Sequence, residues 1–348
     1  MHPALSIIFF TTVSGVGFSL IFWVGFYLLF IIDIDFPYPI LNAYIDAVIA
    51  NSISMDSGWD ALYFILITPI CLGIGIVLAA VGLTCSLFHL RRPTRAWRAL
   101  SQWRSSWLSR EGILAIFCLG MSALLFISLL IFVYQIIAWD IPHQLIQILA
   151  FFVIILSLLT VYSTAMIYAQ LKAVQAWSTR LTPSMYITFG LAGGFLLWLS
   201  VAELQTNLEA YELTTIDLLV FLFIHCLSWL IMLVWWRRND QLFTSGSTIE
   251  TATRLDKLGE VKPFEPPHMG PNYLTTEMGY RINRKRIIHL RLISGGIGFI
   301  LPIGLIALNL PIILAFLCQI VGIGLSRWLF FAEAKHTSML YYYGNPEK

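Results

Sequence analysis

The chain has 348 residues, of which 58% are apolar and 11% are charged, and its mean hydropathy is +0.80. Soluble domains carry about 25% charged residues, and the apolar residues here form runs longer than the about 18 residues that separate a membrane span from a buried core helix. Composition therefore excludes one large soluble domain and predicts an all-α integral membrane protein. The formal net charge of +2 gives no indication of a nucleic-acid partner.

Eight apolar runs are long enough to cross a bilayer as helices. In chain order they cover residues 7–32, 62–89, 112–138, 144–170, 185–204, 215–236, 290–308 and 310–331. The first run is too long for the apolar part of a signal peptide, so we interpret it as a retained helix. Pro311 must end or kink a helix between the last two runs, and seven spans are therefore an alternative. We expect one membrane domain over residues 1–348, with a possible division into two four-helix bundles.

The charged residues divide between the two sides of the predicted membrane. The loops after the first, third and fifth runs carry Asp and Glu without Lys or Arg. The other connections, the ends of the spans beside them and the C-terminal tail carry all 21 Lys and Arg residues. The positive-inside rule then predicts that both termini and the basic loops are cytoplasmic, which requires an even number of spans.

Residues 91–110 are predicted to form an amphipathic helix at the membrane surface. Pro93 suits the first turn of a helix. At helical spacing the large apolar residues share one face and the arginines the opposite one: Trp97, Leu100, Trp103 and Trp107 against Arg91, Arg95 and Arg98. Such a helix either lies among lipid headgroups or docks a partner protein, and the pattern suits both interpretations.

The connection over residues 237–290 is too long for a structureless loop in a compact protein. It contains a Pro-rich and aromatic stretch that includes Phe264 and Tyr273. Solvated linkers are poor in such residues. We therefore expect this cytoplasmic segment to dock on a partner protein.

Cofactor ligands are scarce in the sequence. The five cysteines fall inside apolar runs without C-x-x-C spacing, so we expect neither a metal site nor an iron–sulfur cluster in this chain. His225 alone lies clearly inside a span, so facing helices offer no pair of axial haem ligands. We interpret it as a hydrogen-bonded core residue. The scarcity of ionisable residues in the spans also disfavours an ion-coupled transporter.

A histidine and a carboxylate meet the membrane surface at neighbouring helix ends. His89 ends the second apolar run and Glu111 precedes the third. Beside apolar walls, such a pair can take protons from a lipid-soluble hydroquinone. Each residue also has a structural interpretation: His89 can snorkel at a helix end, and Glu111, after Ser109 at an N-cap, can complement the helix dipole.

Two stretches resemble a known family. The first runs from Phe88-His89-Leu90 through Pro93 and Arg95-Ala96 to Leu108-Ser109-Arg110-Glu111. The second is the last span, Gly322 to Phe331, in which Arg327 precedes an aromatic pair. Both resemble the DmsC family, the membrane anchor subunits of bacterial dimethyl sulfoxide reductase. The resemblance extends over the whole eight-helix layout.

The resemblance implies an anchor in the bacterial inner membrane for a molybdopterin catalytic subunit and a four-cluster iron–sulfur subunit. It implies no tightly bound cofactor, and electron exchange with menaquinol or ubiquinol in anaerobic respiration. His89 and Glu111 match the family's quinol-binding residues, and we expect Arg95, Arg98 and Arg327 to position quinol and dock partners. Sulfite dehydrogenase anchors look similar and run electrons the other way, and a pure scaffold without a quinol site is the third interpretation.

Overall fold

The computed structural model describes residues 3–30, 55–90, 92–134, 143–205, 213–245, 249–261, 264–265, 278 and 283–339. Within these ranges the chain is helical without strands, and eight helices are long and apolar enough to cross a membrane. The predicted all-α class and the count of eight are confirmed.

The spanning helices follow one another along the chain. They are α1 (Leu5–Phe30), α2 (Met55–Cys85), α3 (Trp107–Tyr134), α4 (His143–Ala169), α5 (Leu181–Gln205), α6 (Thr215–Ser245), α7 and α8 (Ile312–Ala332). Helix α7 consists of an α-helix (Arg284–Gly295), a π-helical turn (Gly296–Ile300) and a second α-helix (Leu301–Ala307). Two 3₁₀ helices, Ser86–His89 and Pro93–Gln102, lie between α2 and α3.

The predicted break at Pro311 separates α7 from α8. Asn309 has a φ of 51°, in the left-handed region that Asn tolerates better than most residues. The backbone N–H of Ile312 then donates to Glu203 Oε2 at 2.6 Å, which satisfies one of the donors left open at a helix start. The chain reverses at this turn, so the seven-span alternative is wrong.

Helix α6 is longer than predicted, since it continues past residue 236 to Ser245. The sequence has no Gly or Pro until Gly246 to stop it. The Arg238 Nη1 group donates to the Gln175 carbonyl at 3.0 Å and ties this extension to the connection between α4 and α5. The first part of the segment predicted as a docking loop, residues 237–290, is therefore helical.

Helix α1 lies at the centre of the bundle. It packs on α2 and α4 within a first group of helices, α1–α4, and also on α5 and α8 of a second group, α5–α8, which agrees with the possible division into two four-helix bundles. Small residues permit the close approach: a Cβ on Gly190 would lie 3.0 Å from the Gly15 carbonyl oxygen. Lipid provides no hydrophobic drive between helices, so such close packing carries much of their association.

Several connections pack together at one end of the bundle, which we call the basic end. It comprises the start of α7 and residues 92–110, 170–180, 237–245 and 333–339. The Thr337 N–H donates to the Ala173 carbonyl at 3.0 Å, and the Trp177 indole N–H donates to the Phe330 carbonyl at 2.8 Å. These bonds join the connection after α4 to the end of α8.

Arg291 joins three helices at the basic end. Its guanidinium lies 2.6 Å from Glu333 Oε2 and 2.9 Å from Asp240 Oδ2. Burial raises the pKa of Glu333, and the Arg291 guanidinium opposes that rise. Removing one partner from such a buried group leaves an uncompensated charge, so the triad fixes α6, α7 and the residues after α8 relative to one another.

Helices α7 and α8 touch through their backbones at Gly298 and Gly322. A Cβ on Gly322 would overlap the Gly298 Cα and lie 3.0 Å from the Ser294 carbonyl oxygen. The Ser294 hydroxyl donates to the Gly322 carbonyl at 2.9 Å. The crossing therefore has no room for a side chain.

Gly322→Ala is expected to lower the free energy of unfolding by about 1–3 kcal/mol, because the added methyl forces the two backbones apart. The matched control is Gly324→Ala, whose Cβ would meet nothing within 4 Å. The thermal unfolding midpoint in detergent, followed by size-exclusion chromatography, measures the difference. Equal midpoints for the two variants would show that this crossing tolerates a side chain.

Candidate functional site

Glu111 is a buried carboxylate near the basic end. It lies in the second turn of α3 and is 4% exposed. The Thr164 hydroxyl of α4 donates to its Oε1 atom, and within the described residues its Oε2 atom accepts no hydrogen bond. A carboxylate removed from water needs such donors.

The start of α3 differs from the sequence-based interpretation. Ser106 rather than Ser109 caps the helix, because the Ser109 N–H donates to the Ser106 hydroxyl oxygen at 3.4 Å. The Ser109 hydroxyl instead donates to the Ala99 carbonyl. Glu111 lies beyond the first turn of α3, where the helix dipole has largely faded. Complementing the dipole therefore does not explain this carboxylate.

Arg327 is a second buried charge, on α8, and only 2% of it is exposed. Its Cζ atom lies 3.4 Å from the centroid of the Tyr186 ring and 5.4 Å from that of Phe189. Within the described residues no carboxylate forms an ion pair with it. Aromatic faces can stabilise a desolvated cation by about 2 kcal/mol, so the two rings partly replace an anionic partner.

Glu111 and Arg327 belong to one layer of polar residues. Tyr168 of α4 and Tyr186 of α5 each lie within electrostatic range of both charges, and the two rings are 5.9 Å apart. Glu111, Thr164, Tyr186 and Arg327 each lie four or five residues from a helix end, about 6–8 Å deep at 1.5 Å per residue. We call these five residues, together with Thr12 of α1, the polar layer.

A small cavity lies within the polar layer, between α1, α4, α5 and α8. Its volume is about 10 Å³, and its lining includes Thr12, Thr164, Tyr186 and Arg327. That is room for about one water, whereas ligand pockets measure about 300–1,000 Å³. The cavity is too small for a quinone ring, so Arg327 faces a water-sized space beside the Thr164–Glu111 pair.

The segment that carries His89 packs on α1, the helix that carries Thr12. The 3₁₀ helix Ser86–His89 contacts α1 and the next 3₁₀ helix. Phe88 is 78% exposed, so the segment is apolar on its outer side. The His89 side chain lies outside the described part of the structure, and its pairing with Glu111 stays a prediction.

The predicted amphipathic segment forms a 3₁₀ helix, Pro93–Gln102, which we call the surface helix. Pro93 occupies its first turn as expected. In a 3₁₀ helix residues three apart eclipse one another, so Trp97 and Leu100 lie in one row, and the C-cap residue Trp103 continues it. Leu100 packs so closely on Gly112 of α3 that a Cβ on this glycine would lie 2.8 Å from the Leu100 side chain. This contact holds the surface helix against α3.

The surface helix exposes its aromatic and basic side chains. Trp97 is 68% and Trp103 is 53% exposed, and Arg95 and Arg98 are exposed as well. The Arg98 guanidinium lies 5.7 Å from the Trp97 ring centroid. The residues predicted to bind quinol thus occupy separate environments: Glu111 and Arg327 are buried, whereas Arg95 and Arg98 lie on the surface.

Of the two aromatic residues predicted in the long connection, Phe264 is 99% exposed. Tyr273 lies outside the described residues. A fully exposed phenylalanine is consistent with a contact surface, and docking through this connection stays a prediction.

His225 lies in a second polar contact, deeper in the bundle. Its Nδ1 is 3.0 Å from the Phe221 carbonyl oxygen, and its Nε2 is 2.8 Å from the Gln319 amide nitrogen. The expected hydrogen-bonded core role is confirmed. Within the described residues no group of three His, Cys, Asp or Glu side chains is arranged to hold a metal ion.

Sequence reasoning missed Thr12, Thr164, Tyr168 and Tyr186. Hydroxyl-bearing residues are ordinary in spans, and nothing local distinguishes these four. The available signal was Arg327 itself, because an arginine inside a span requires polar or aromatic partners at its own depth on other helices.

Comparison with known proteins identifies the family. The family model of the DMSO reductase anchor subunit (DmsC) matches residues 65–256. A sulfite dehydrogenase subunit of Allochromatium vinosum is 32% identical to this chain, over 98% of this chain and 99% of its own length. The region that the family model matches contains the surface helix, Glu111 and Thr164. The chain therefore belongs to the DMSO reductase anchor subunit (DmsC) family, whose members are membrane anchors of oxidoreductase complexes.

Proposed function

We propose that this chain anchors a molybdopterin oxidoreductase in the bacterial inner membrane and exchanges electrons between the quinone pool and an iron–sulfur subunit. One observation carries the proposal: a carboxylate buried at the basic end, beside a buried cation and beneath an exposed aromatic and basic surface. Buried ionisable groups near a membrane surface mark functional sites. The structural charges at this end are paired, as in the Arg291 triad, whereas Arg327 forms no ion pair with a described carboxylate, and this difference favours a functional role over a pure scaffold.

The reaction requires proton exchange close to the membrane surface. Quinone takes up two electrons and two protons to become quinol, and quinol oxidation releases the same particles. Glu111 exchanges one proton with a ring oxygen, and His89, at the end of the 3₁₀ helix that follows α2, binds or deprotonates the other hydroxyl. Menaquinone or ubiquinone is then an exchangeable substrate and not a resident cofactor.

The whole-length relative favours electron flow toward quinone. The family model stops at residue 256, whereas the sulfite dehydrogenase protein also matches the long connection and the last two spans. In that direction a partner converts sulfite and water to sulfate, two protons and two electrons. The electrons reduce quinone, and Glu111 serves as a proton donor. With dimethyl sulfoxide as the partner's substrate, every step at the quinone runs in reverse.

The basic end is the proposed docking face. The positive-inside rule assigns it to the cytoplasm together with both termini. Exposed Trp and Arg residues are enriched at protein interfaces, and the surface helix presents both over the buried layer. A partner bound there brings its nearest iron–sulfur cluster close to the quinone site.

His89→Ala is expected to leave the complex assembled in the membrane while lowering quinone turnover by about 100-fold, the typical contribution of a general acid or base. The control is His289→Ala, an exposed histidine at the basic end whose Nδ1 lies 2.7 Å from the Lys285 carbonyl oxygen of its own helix. Turnover with a water-soluble quinone is compared with turnover by an artificial electron carrier. Unchanged quinone turnover in His89→Ala would remove the site assignment. If Glu111→Gln were equally silent, the scaffold interpretation would stand.

The purified complex is expected to reduce quinone with sulfite and to show little oxidation of quinol with dimethyl sulfoxide. The reason is the whole-length match to a sulfite dehydrogenase protein. Quinone and quinol absorbance measures both directions. Dimethyl sulfoxide turnover without sulfite turnover would reverse the proposed direction while leaving the anchor role intact.

Trp97→Ala combined with Trp103→Ala is expected to release the partner subunits into the soluble fraction, because truncating an interface tryptophan typically removes about 2 kcal/mol of binding. The control combines Phe117→Ala and Phe223→Ala, two exposed residues inside spans. Immunoblots of membrane and soluble fractions give the distribution. Full retention of the partners would mean that the surface helix contacts lipid only.

A further inference from the structure

The cavity of the polar layer collects hydrogen-bonding atoms that other described residues do not satisfy. They are Thr12 Oγ1, Tyr186 Oη, Arg327 Nε and Arg327 Nη1, all on residues that line the same cavity. The Tyr186 hydroxyl approaches the guanidinium but lacks hydrogen-bond geometry. Buried polar groups almost always find a protein or water partner, and hydrocarbon offers none.

The size and chemistry of the cavity fit one water. A volume of about 10 Å³ admits about a single water molecule. A bound water needs two to four polar partners, and the cavity offers donors on Arg327 and hydroxyls on Thr12 and Thr164. No larger ligand fits this space.

We propose that this cavity binds one water that links Arg327 to Thr164, completing a chain of hydrogen bonds that ends on Glu111. The water site stands on the cavity and its lining alone. Its role in the reaction rests on the proposed function. Thr12, Thr164 and Arg327 are then positioning residues, which act on quinone only through Glu111.

The hydrogen-bond donors on Arg327 fix the direction of this chain of hydrogen bonds. A guanidinium only donates hydrogen bonds, so the water oxygen accepts from Arg327 and the two water hydrogens point away from it, toward Thr12 and Thr164. The Thr164 oxygen lies within hydrogen-bond distance of both Glu111 Oε1 and the Thr160 carbonyl oxygen, the latter at 3.1 Å. The carboxylate is the stronger acceptor, so the hydroxyl hydrogen points to Glu111. Every hydrogen between Arg327 and Glu111 therefore points toward the carboxylate.

Because the hydrogens point this way, the two carboxylate oxygens of Glu111 have different roles. Oε1 is occupied by Thr164, while Oε2, which accepts no hydrogen bond within the described residues, is left for the quinone. When Glu111 protonates a quinone oxygen, the O–H bond of its carboxyl breaks and one on the quinone forms, with electrons supplied by the iron–sulfur subunit. The hydrogen-bond chain then stabilises the resulting carboxylate.

Radiolytic footprinting tests the water site directly. Hydroxyl radicals formed from bound water oxidise adjacent side chains, and Tyr186 is only 2% exposed to bulk solvent. The full complex is irradiated without quinone and Tyr186 oxidation is measured by mass spectrometry. Wild type is expected to be labelled. Thr12→Val and Thr164→Val are expected to show about fivefold less labelling, because each removes one hydrogen bond to the water.

Thr160→Val is the matched control. Thr160 lies one turn from Thr164 on α4, and its hydroxyl donates to the Leu156 carbonyl at 2.7 Å. It does not line the cavity. Its labelling is expected to equal that of wild type. An unlabelled Tyr186 in wild type, or equal labelling in Thr12→Val, would overturn the water site.

Steady-state kinetics tests the chain of hydrogen bonds from Arg327 to Glu111. Thr164→Val is expected to lower kcat for a water-soluble quinone about tenfold, since Glu111 loses a hydrogen bond to a charged group, with KM unchanged because quinone does not touch Thr164. Thr160→Val should alter neither. Equal kcat in the two variants would overturn the proposed hydrogen-bond chain. Absence of quinone turnover in wild type would instead defeat the proposed function, while footprinting still decides the water site.

Discussion

The organisation of this protein depends on one constraint: hydrocarbon supplies no hydrogen bonds, so a charge inside the bundle must be satisfied by the protein or by water. Arg327 and Glu111 are the two charges of the polar layer, and both lie less than two turns from helix ends. Their partners come from α4 and α5, and α1 closes the layer from the centre. Packing of α1 against its neighbours through small residues is what brings these helices close enough to serve a single site.

The same constraint explains how the basic end is built. Buried hydrogen bonds and the Arg291 triad join its connections into one surface. The surface helix covers the start of α3 there, and its arginines and tryptophans remain exposed. A partner on that surface and a quinone in the adjacent membrane would both lie near Glu111. Electron transfer and proton transfer could then take place within a short distance of each other.

The sequence predicted the features that depend on residues close together in the chain. Run length gave eight spans, Pro311 gave the turn before α8, and Pro93 gave the start of the surface helix. Prediction failed where no local signal ended a helix, as at α6, and where a hydroxyl had two possible partners, as at Ser109. Prediction also gave the buried Arg327 the same role as the exposed Arg95 and Arg98, because all three residues are basic. The contact of Thr164 with Glu111 and the stacking of Arg327 on Tyr186 each join residues that are far apart in the chain. The residue pattern within one segment therefore cannot predict these contacts.

The central claim is that Glu111 exchanges protons with quinone at the basic end while a partner supplies or receives the electrons. Rapid mixing of the dithionite-reduced complex with a water-soluble quinone, followed by electron paramagnetic resonance of the iron–sulfur centres, tests it in a single turnover. Wild type is predicted to be reoxidised at once, and Glu111→Gln about 100-fold more slowly. Reoxidation of Glu111→Gln at the wild-type rate would contradict the claim.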